Sequence, residues 1–155
     1  FVVLLGAEIS YAVQNVKLKG ASMQLQNLSI SYQKKIALLI VKELVDRFKV
    51  GEKAPSPDQL SSVLAVPVFT VEYILHNLVT SGILSEIKSD EGKAFQPAMG
   101  IDKIDLVKVI NSYELIGNDL SKFMKSKTYH VLEEKMSKVQ AFQSASEDNV
   151  LLKEL

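Results

Sequence analysis

Imidazoles and thiols hold most protein zinc and much other transition metal and do much nucleophilic chemistry, and this chain is poor in both. It has two histidines, His76 and His130, and no cysteine. Without thiols there are no disulfides, thiolate metal sites, cysteine-ligated iron–sulfur clusters or Cys nucleophiles. Hydrolytic metal chemistry needs His, Asp and Glu clustered around an open coordination position. The two histidines share neither a His-x-His nor a Glu-x-x-His spacing. Glu133 and Glu134 follow His130 closely, a pattern that predicts a solvated helix face rather than a ligand set. Neither a glycine-rich phosphate loop nor a Gly-x-Ser-x-Gly elbow occurs. The sequence thus predicts a chain that is not an enzyme and that carries no cofactor or metal.

The other chemistry open to a small domain is gripping a polyanion, which rests on Lys and Arg neutralising phosphates. Lys+Arg and Asp+Glu balance at 18 each, so no overall field favours nucleic acid or anionic lipid. The single arginine is Arg47. Residues 54–87 contain no Lys or Arg but do contain Asp58, Glu72 and Glu86. Residues 68–81 have helical periodicity, and the outward positions expected there are Thr70, Glu72, Tyr73, His76, Asn77 and Thr80. Thr70 and Asn77 have the donors and acceptors to read base edges, but Glu72 would face phosphates. Only Lys88 and Lys93 follow nearby, so nucleic acid is disfavoured as a partner. An interaction face of Val68, Phe69, Glu72, Tyr73, His76 and Asn77 is expected instead, contacting protein.

These side chains need elements to hold them. Helical spacing runs over 31–50, with Ile36, Leu39, Ile40, Leu44 and Phe48 as one apolar stripe and Ala37, Val41 and Val45 widening it. Ser56-Pro57-Asp58-Gln59 combines an N-cap, Pro at the first helical position and a capping box, and starts a short helix with Leu60, Val63 and Leu64 facing inward. Val66-Pro67 turns the chain into the helix over 68–81, which Gly82 ends in the left-handed region. Residues 83–88 and 94–99 form two strands around a Ser89-to-Lys93 turn, and Pro97 marks the second as an edge. A further helix starts near Ile101 with Asp102 as cap, its stripe Leu106, Val109, Ile110 and Tyr113. A last amphipathic helix over 120–142 carries Phe123, Met124, Leu132, Met136 and Val139. Its face suits solvent, a partner, or a second copy in a homodimer. The tail over 143–155 is polar, with Val150-Leu151-Leu152 as a docking segment.

The opening run Phe1-Val2-Val3-Leu4-Leu5-Gly6-Ala7 is apolar and begins without Met, which leads to the expectation that a natural beginning lies upstream. It is too short to span a membrane, which takes ~20 apolar residues, and no positive charge precedes it as in a signal peptide. Two readings stay open: the cytoplasmic end of a truncated transmembrane helix, or an amphipathic segment packed on the domain. Lys17 and Lys19 follow at once, as the positive-inside tendency expects, and Glu8 inside the run is costly in lipid unless it faces a bundle interior or transport path.

Residues 64–71 (Leu64-Ala65-Val66-Pro67-Val68-Phe69-Thr70-Val71), continuing through Leu75, Leu78 and Gly82-Ile83-Leu84, resemble the helix-turn-helix of winged-helix regulators. In those, Ser or Thr usually stands where this chain has Pro67, and Arg or Lys where it has Glu72, Tyr73, His76 and Asn77. Residues 101–110 resemble the helix after the wing in Rrf2-type regulators. Leu4 to Ala12, with the Gly6-Ala7-Glu8 motif, a basic connector and the winged-helix pattern, resembles the end of the YihY/BrkB family of bacterial inner-membrane proteins, often labelled ribonuclease BN-like. That resemblance implies an inner-membrane protein with this region facing the cytoplasm. Residues 1–16 would end the last transmembrane helix, 17–29 connect, 30–116 form a winged helix, 117–142 a C-terminal helix and 143–155 a tail. The expected fold class is mainly α, a winged helix-turn-helix with a two-stranded wing. The expected role is a non-catalytic regulatory or assembly domain of that membrane protein. The alternatives are a DNA-binding winged-helix transcriptional regulator, or part of a membrane transporter or of a protein labelled as a tRNA-processing ribonuclease.

Overall fold

Ser56 takes the extended conformation of an N-cap, and its hydroxyl accepts from the Gln59 N–H at 3.3 Å while the Gln59 side chain accepts from the Ser56 N–H at 3.0 Å. The capping box read from four letters is therefore formed. The computed structural model describes residues 28–155 apart from Glu91, Asn118 and Leu120. Contacts divide the chain into Phe1–Gln33, of which only residues 28–33 are described, and Lys34–Leu155. The elements are α1 (Ile30–Val50), α2 (Pro57–Leu64), α3 (Val68–Thr80), β1 (Leu84–Ser89), β2 (Gly92–Pro97), α4 (Leu106–Glu114) and α5 (Lys127–Ser144). The described residues are mainly helical with one two-stranded sheet. The Gly6-Ala7-Glu8 motif and the expected membrane segment lie outside the described residues.

Between α2 and α3 the chain reverses through Ala65, Val66 and Pro67, and the helix axes turn through 116°. That is the crossing expected of a helix-turn-helix. Ala65 ends α2 in the left-handed region at φ 52°. At the far end of α3 Gly82 has φ 76°; its N–H bonds Val79 O and the Ile83 N–H bonds Leu78 O. This is the paired-carbonyl closure that a left-handed glycine permits, and it aims the chain directly into β1. The strands pair antiparallel from Leu84 with Pro97 to Ser89 with Gly92. Both strands sit one or two residues from their expected bounds. The second edge of β2 is used once, where the Phe95 N–H bonds Pro55 O at 3.2 Å, tying the wing to the loop before α2.

The core gathers Ile36, Ile40 and Leu44 of α1 with Leu60, Ile74, Leu75, Leu78, Ile83 and Leu84. On α1 the buried seam pairs Ile36 with Ala37, Ile40 with Val41 and Leu44 with Val45. Leu39 and Phe48, expected inside, are about half exposed, as is Val63 on α2. Each element had more apolar residues than one face holds, and the small Ala37 and Val41 allow the closer approach.

The segment after the wing departs from expectation. Ile101–Lys103 is a 3-10 turn, and α4 begins only at Leu106, capped by Asp105, whose carboxylate accepts from the Lys108 N–H at 2.7 Å. Asp102 caps nothing here. The cause is the C-terminal strap: Leu106 N–H bonds Val150 O, Leu152 N–H bonds Ile104 O, and Asp105 bridges Leu151 antiparallel. Residues 104–105 are thereby held extended, and Ile104 and Leu152 are both buried. The expected helix over 120–142 is also divided. Ser121–Phe123 is a 3-10 turn, and Ser126 caps α5 by accepting from the Tyr129 N–H at 3.0 Å.

Ala65 is the one described non-glycine residue with positive φ, a conformation that costs a β-carbon about 1 kcal/mol. Ala65→Gly is expected to raise the unfolding free energy by roughly 0.5–1 kcal/mol, read as a higher urea midpoint at unchanged slope. A lower midpoint would show that this strain is not stored at Ala65.

Candidate nucleic-acid interface

The second helix of a helix-turn-helix presents its outer face, and on α3 that face is set by how much of the helix the core claims. Thr70, Val71, Ile74, Leu75, Asn77 and Leu78 are buried. Val68, Glu72, Tyr73, His76 and Thr80 are exposed, and Phe69 is half-buried. Pro67 stands at the N-cap, with no side-chain hydrogen bond to the first turn. Two of the expected outward positions therefore turn inward, Thr70 and Asn77 at 4% and 8% exposed, unavailable to base edges, and of the two only Asn77 was also counted in the interaction face.

Asn77 has another task. Its Nδ2 donates to the Tyr113 hydroxyl at 3.1 Å, joining α3 to α4. Burial raises the Tyr113 pKa above the ordinary phenol value, the Asn77 hydrogen bond lowers it, and Tyr73 adds a smaller upward push. Asn77 lies at the edge of the α3 apolar arc, and only the partner on α4 decides that it turns inward.

The basic groups converge elsewhere. Lys53, in the loop before α2, and Lys88, on β1, line one cleft of about 370 Å³ with Gln59, Ile87, Ser89 and Asp90. Both lysines are exposed. Lys93, opposite Lys88 in the sheet register, reaches Glu86 at 3.2 Å. Arg47 is committed to Glu43 at 2.7 Å, with Glu52 at 3.6 Å. Sequence reasoning named Lys88 and Lys93 but missed Lys53. The available signal was its place just ahead of the Ser56 capping box, since the start of α2 abuts the wing. His76 and His130 stand on different helices, and no group of three or more His, Asp or Glu gathers to hold a metal among the described residues.

No protein-family model matches the chain, and no curated protein does. Solved structures do. The oxidised form of CymR from Staphylococcus aureus superposes with TM-score 0.52 at 16% identity, over 81% of this chain and 94% of that one. CymR (YrzC), described as the global cysteine regulator of B. subtilis, gives 0.50 at 17% identity, over 74% and 90%. A putative transcriptional regulator from Listeria innocua gives 0.51 at 18%, over 81% of each chain. The fold is the winged helix of these proteins.

The inner-membrane resemblance does not hold. The similar structures are regulators, not YihY/BrkB proteins, and among the described residues no single helix is long and apolar enough to cross a membrane. Gly6-Ala7-Glu8 is too short a motif to carry a family against agreement along most of the chain. The expected inner-membrane location, the membrane partner and the transporter and ribonuclease alternatives fall with it. The ranking of nucleic acid below protein partners reverses as well. That ranking weighed Lys88 and Lys93 as the nearby cations, whereas the fold also sets Lys53 on the same cleft as Lys88.

Removing the Tyr113 hydroxyl strands the buried Asn77 amide. Tyr113→Phe is expected to cost about 1–3 kcal/mol of stability. The folded phenol titrates above the unfolded one, so the unfolded chain loses its proton first and stability falls as pH rises past the phenol range. Denaturant melts across alkaline pH should show a smaller fall in Tyr113→Phe. An unchanged midpoint and slope would show that the bond contributes nothing.

Proposed function

We propose that this chain is a DNA-binding winged-helix transcriptional regulator acting as a homodimer. The observation that carries the proposal is the Lys53–Lys88 cleft, which gives a fold shared with regulators a pair of cations on the wing side of its helix-turn-helix. Phosphate contacts position such a domain, and α3 then meets the groove with Val68, Glu72, Tyr73 and His76. Val68 and Tyr73 suit apolar contact with a thymine methyl, and Glu72 suits the cytosine amino group. His76 offers donors to base edges or phosphates. The same positions make Glu72 repulsive wherever it approaches the backbone, so specificity is gained at the expense of general affinity.

The second copy follows from α5. None of its residues is buried, and Val131, Leu132, Met136, Val139 and Phe142 are all more than half exposed. An apolar stripe that long marks an interface. Antiparallel pairing of two α5 helices about Met136 sets Glu134 of one copy across from the partner's Lys138. Within one copy these two residues already pair at 2.5 Å, so the flank is self-complementary as a twofold interface requires.

With two or three lysines per protomer, log K against log salt for a duplex oligonucleotide should have a slope between about −3.5 and −5.5, from ~0.9 per neutralised phosphate. Lys53→Ala with Lys88→Ala should flatten it by roughly 3 to 4. Absence of binding at low salt, or a slope indifferent to both lysines, refutes the DNA-binding role.

Met136→Glu should raise the dimer dissociation constant by about 30-fold or more, read by light scattering behind size-exclusion chromatography. The circular dichroism spectrum should change little, because α5 adds nothing to the core. An unchanged mass would place any dimer contact elsewhere.

A further inference from the structure

α4 and the chain leaving α5 enclose a second cleft of about 250 Å³, remote in sequence from the helix-turn-helix. Its floor is Leu106, Val107 and Ile110, and Asn111 and Asp148 stand among its polar residues. The far wall is held rigidly. Asn149 Oδ1 accepts from the Val107 N–H at 2.9 Å, and its Nδ2 donates to Ser144 O at 3.0 Å. The adjoining Val150 carbonyl accepts from the Leu106 N–H. Asn149 is thus spent on the wall. Asp148 is the only ionised side chain lining the cleft, and no ion pair reaches its carboxylate among the described residues.

We propose that this cleft binds a small primary amine with an apolar body. Size argues for a molecule smaller than the drug-sized ligands that fill pockets of about 300–1,000 Å³. The apolar floor takes its hydrocarbon, the Asp148 carboxylate pairs with the ammonium, and the Asn111 amide offers one further hydrogen bond. A carboxylate or phosphate of the same body is repelled by Asp148 and finds no cation among the described lining residues. The site needs neither DNA nor a dimer, so it stands or falls apart from the function proposed above.

The test is a titration of the isotope-labelled full chain, followed by amide NMR, with n-hexylamine, hexan-1-ol and hexanoate as probes. Hexylamine should give saturable shifts confined to residues 106–111 and 143–149. It should bind about fivefold more tightly than the alcohol, the strength of an exposed ion pair, and that preference should shrink as salt rises. Hexanoate should bind more weakly than the alcohol. Asp148→Asn should abolish the preference for amine while leaving the alcohol bound, and Ile110→Trp, which fills the floor, should exclude both. Shifts that do not saturate, hexanoate binding as well as hexylamine, or an amine preference that survives in Asp148→Asn would each overturn the proposal.

Discussion

The hydrogen bond from Asn77 to Tyr113 decides which side of α3 meets solvent. A buried amide without a partner costs as much as several good apolar contacts contribute, so the helix cannot rotate to expose more of its apolar arc without stranding the Asn77 amide. With Asn77 and Thr70 turned inward, the outer face narrows to Val68, Glu72, Tyr73, His76 and Thr80. Everything the domain can recognise with this helix follows from that choice of rotation.

Electrostatics then works with few charges. Arg47 is spent within the domain on Glu43 and Glu52, Lys42 on Asp46, and Lys34 on Glu114. Such pairs on a solvated surface add little stability, but they remove cations from any external partner. What remains beside the wing is Lys53 and Lys88, with Asp90 close by to temper them. Under the proposed function, a domain equipped this way would hold a polyanion loosely as a single copy. Joining two copies would multiply the contacts, giving the exposed stripe of α5 a purpose beyond burying its own apolar surface.

Much of this architecture was legible in the sequence because it is written in local chemistry. The Ser56–Gln59 box, the glycine at 82 and the two-strand wing each depend on residues only a few positions apart. What was not legible depended on distant partners. Asp102 reads as the cap of the helix after the wing until the strap from residues 150–152 holds 104–105 extended and passes that role to Asp105. Asn77 looks outward until Tyr113 is placed behind it. Leu39, Phe48 and Val63 fit an apolar stripe as well as their buried neighbours do, and only the closeness of helix packing separates them. Lys53 lies outside the motif that carries the fold, and so was not counted with it. The Gly6-Ala7-Glu8 resemblance failed for the opposite reason, since three residues with no geometry attached to them can recur by chance.

Leu152 fills the core from the strap that follows α5. Ile104 keeps an open flank until that leucine arrives, and two N–H groups of the first turn of α4 lack their acceptors, Val150 O and Asn149 Oδ1. During synthesis the N-terminal elements emerge and collapse first, yet this domain cannot close around α4 until residues 149–152 have also left the ribosome. Completion of the scaffold behind α3 therefore waits on the emergence of that strap. A nascent chain stalled short of Leu152 would display the helix-turn-helix on a scaffold not yet locked from behind.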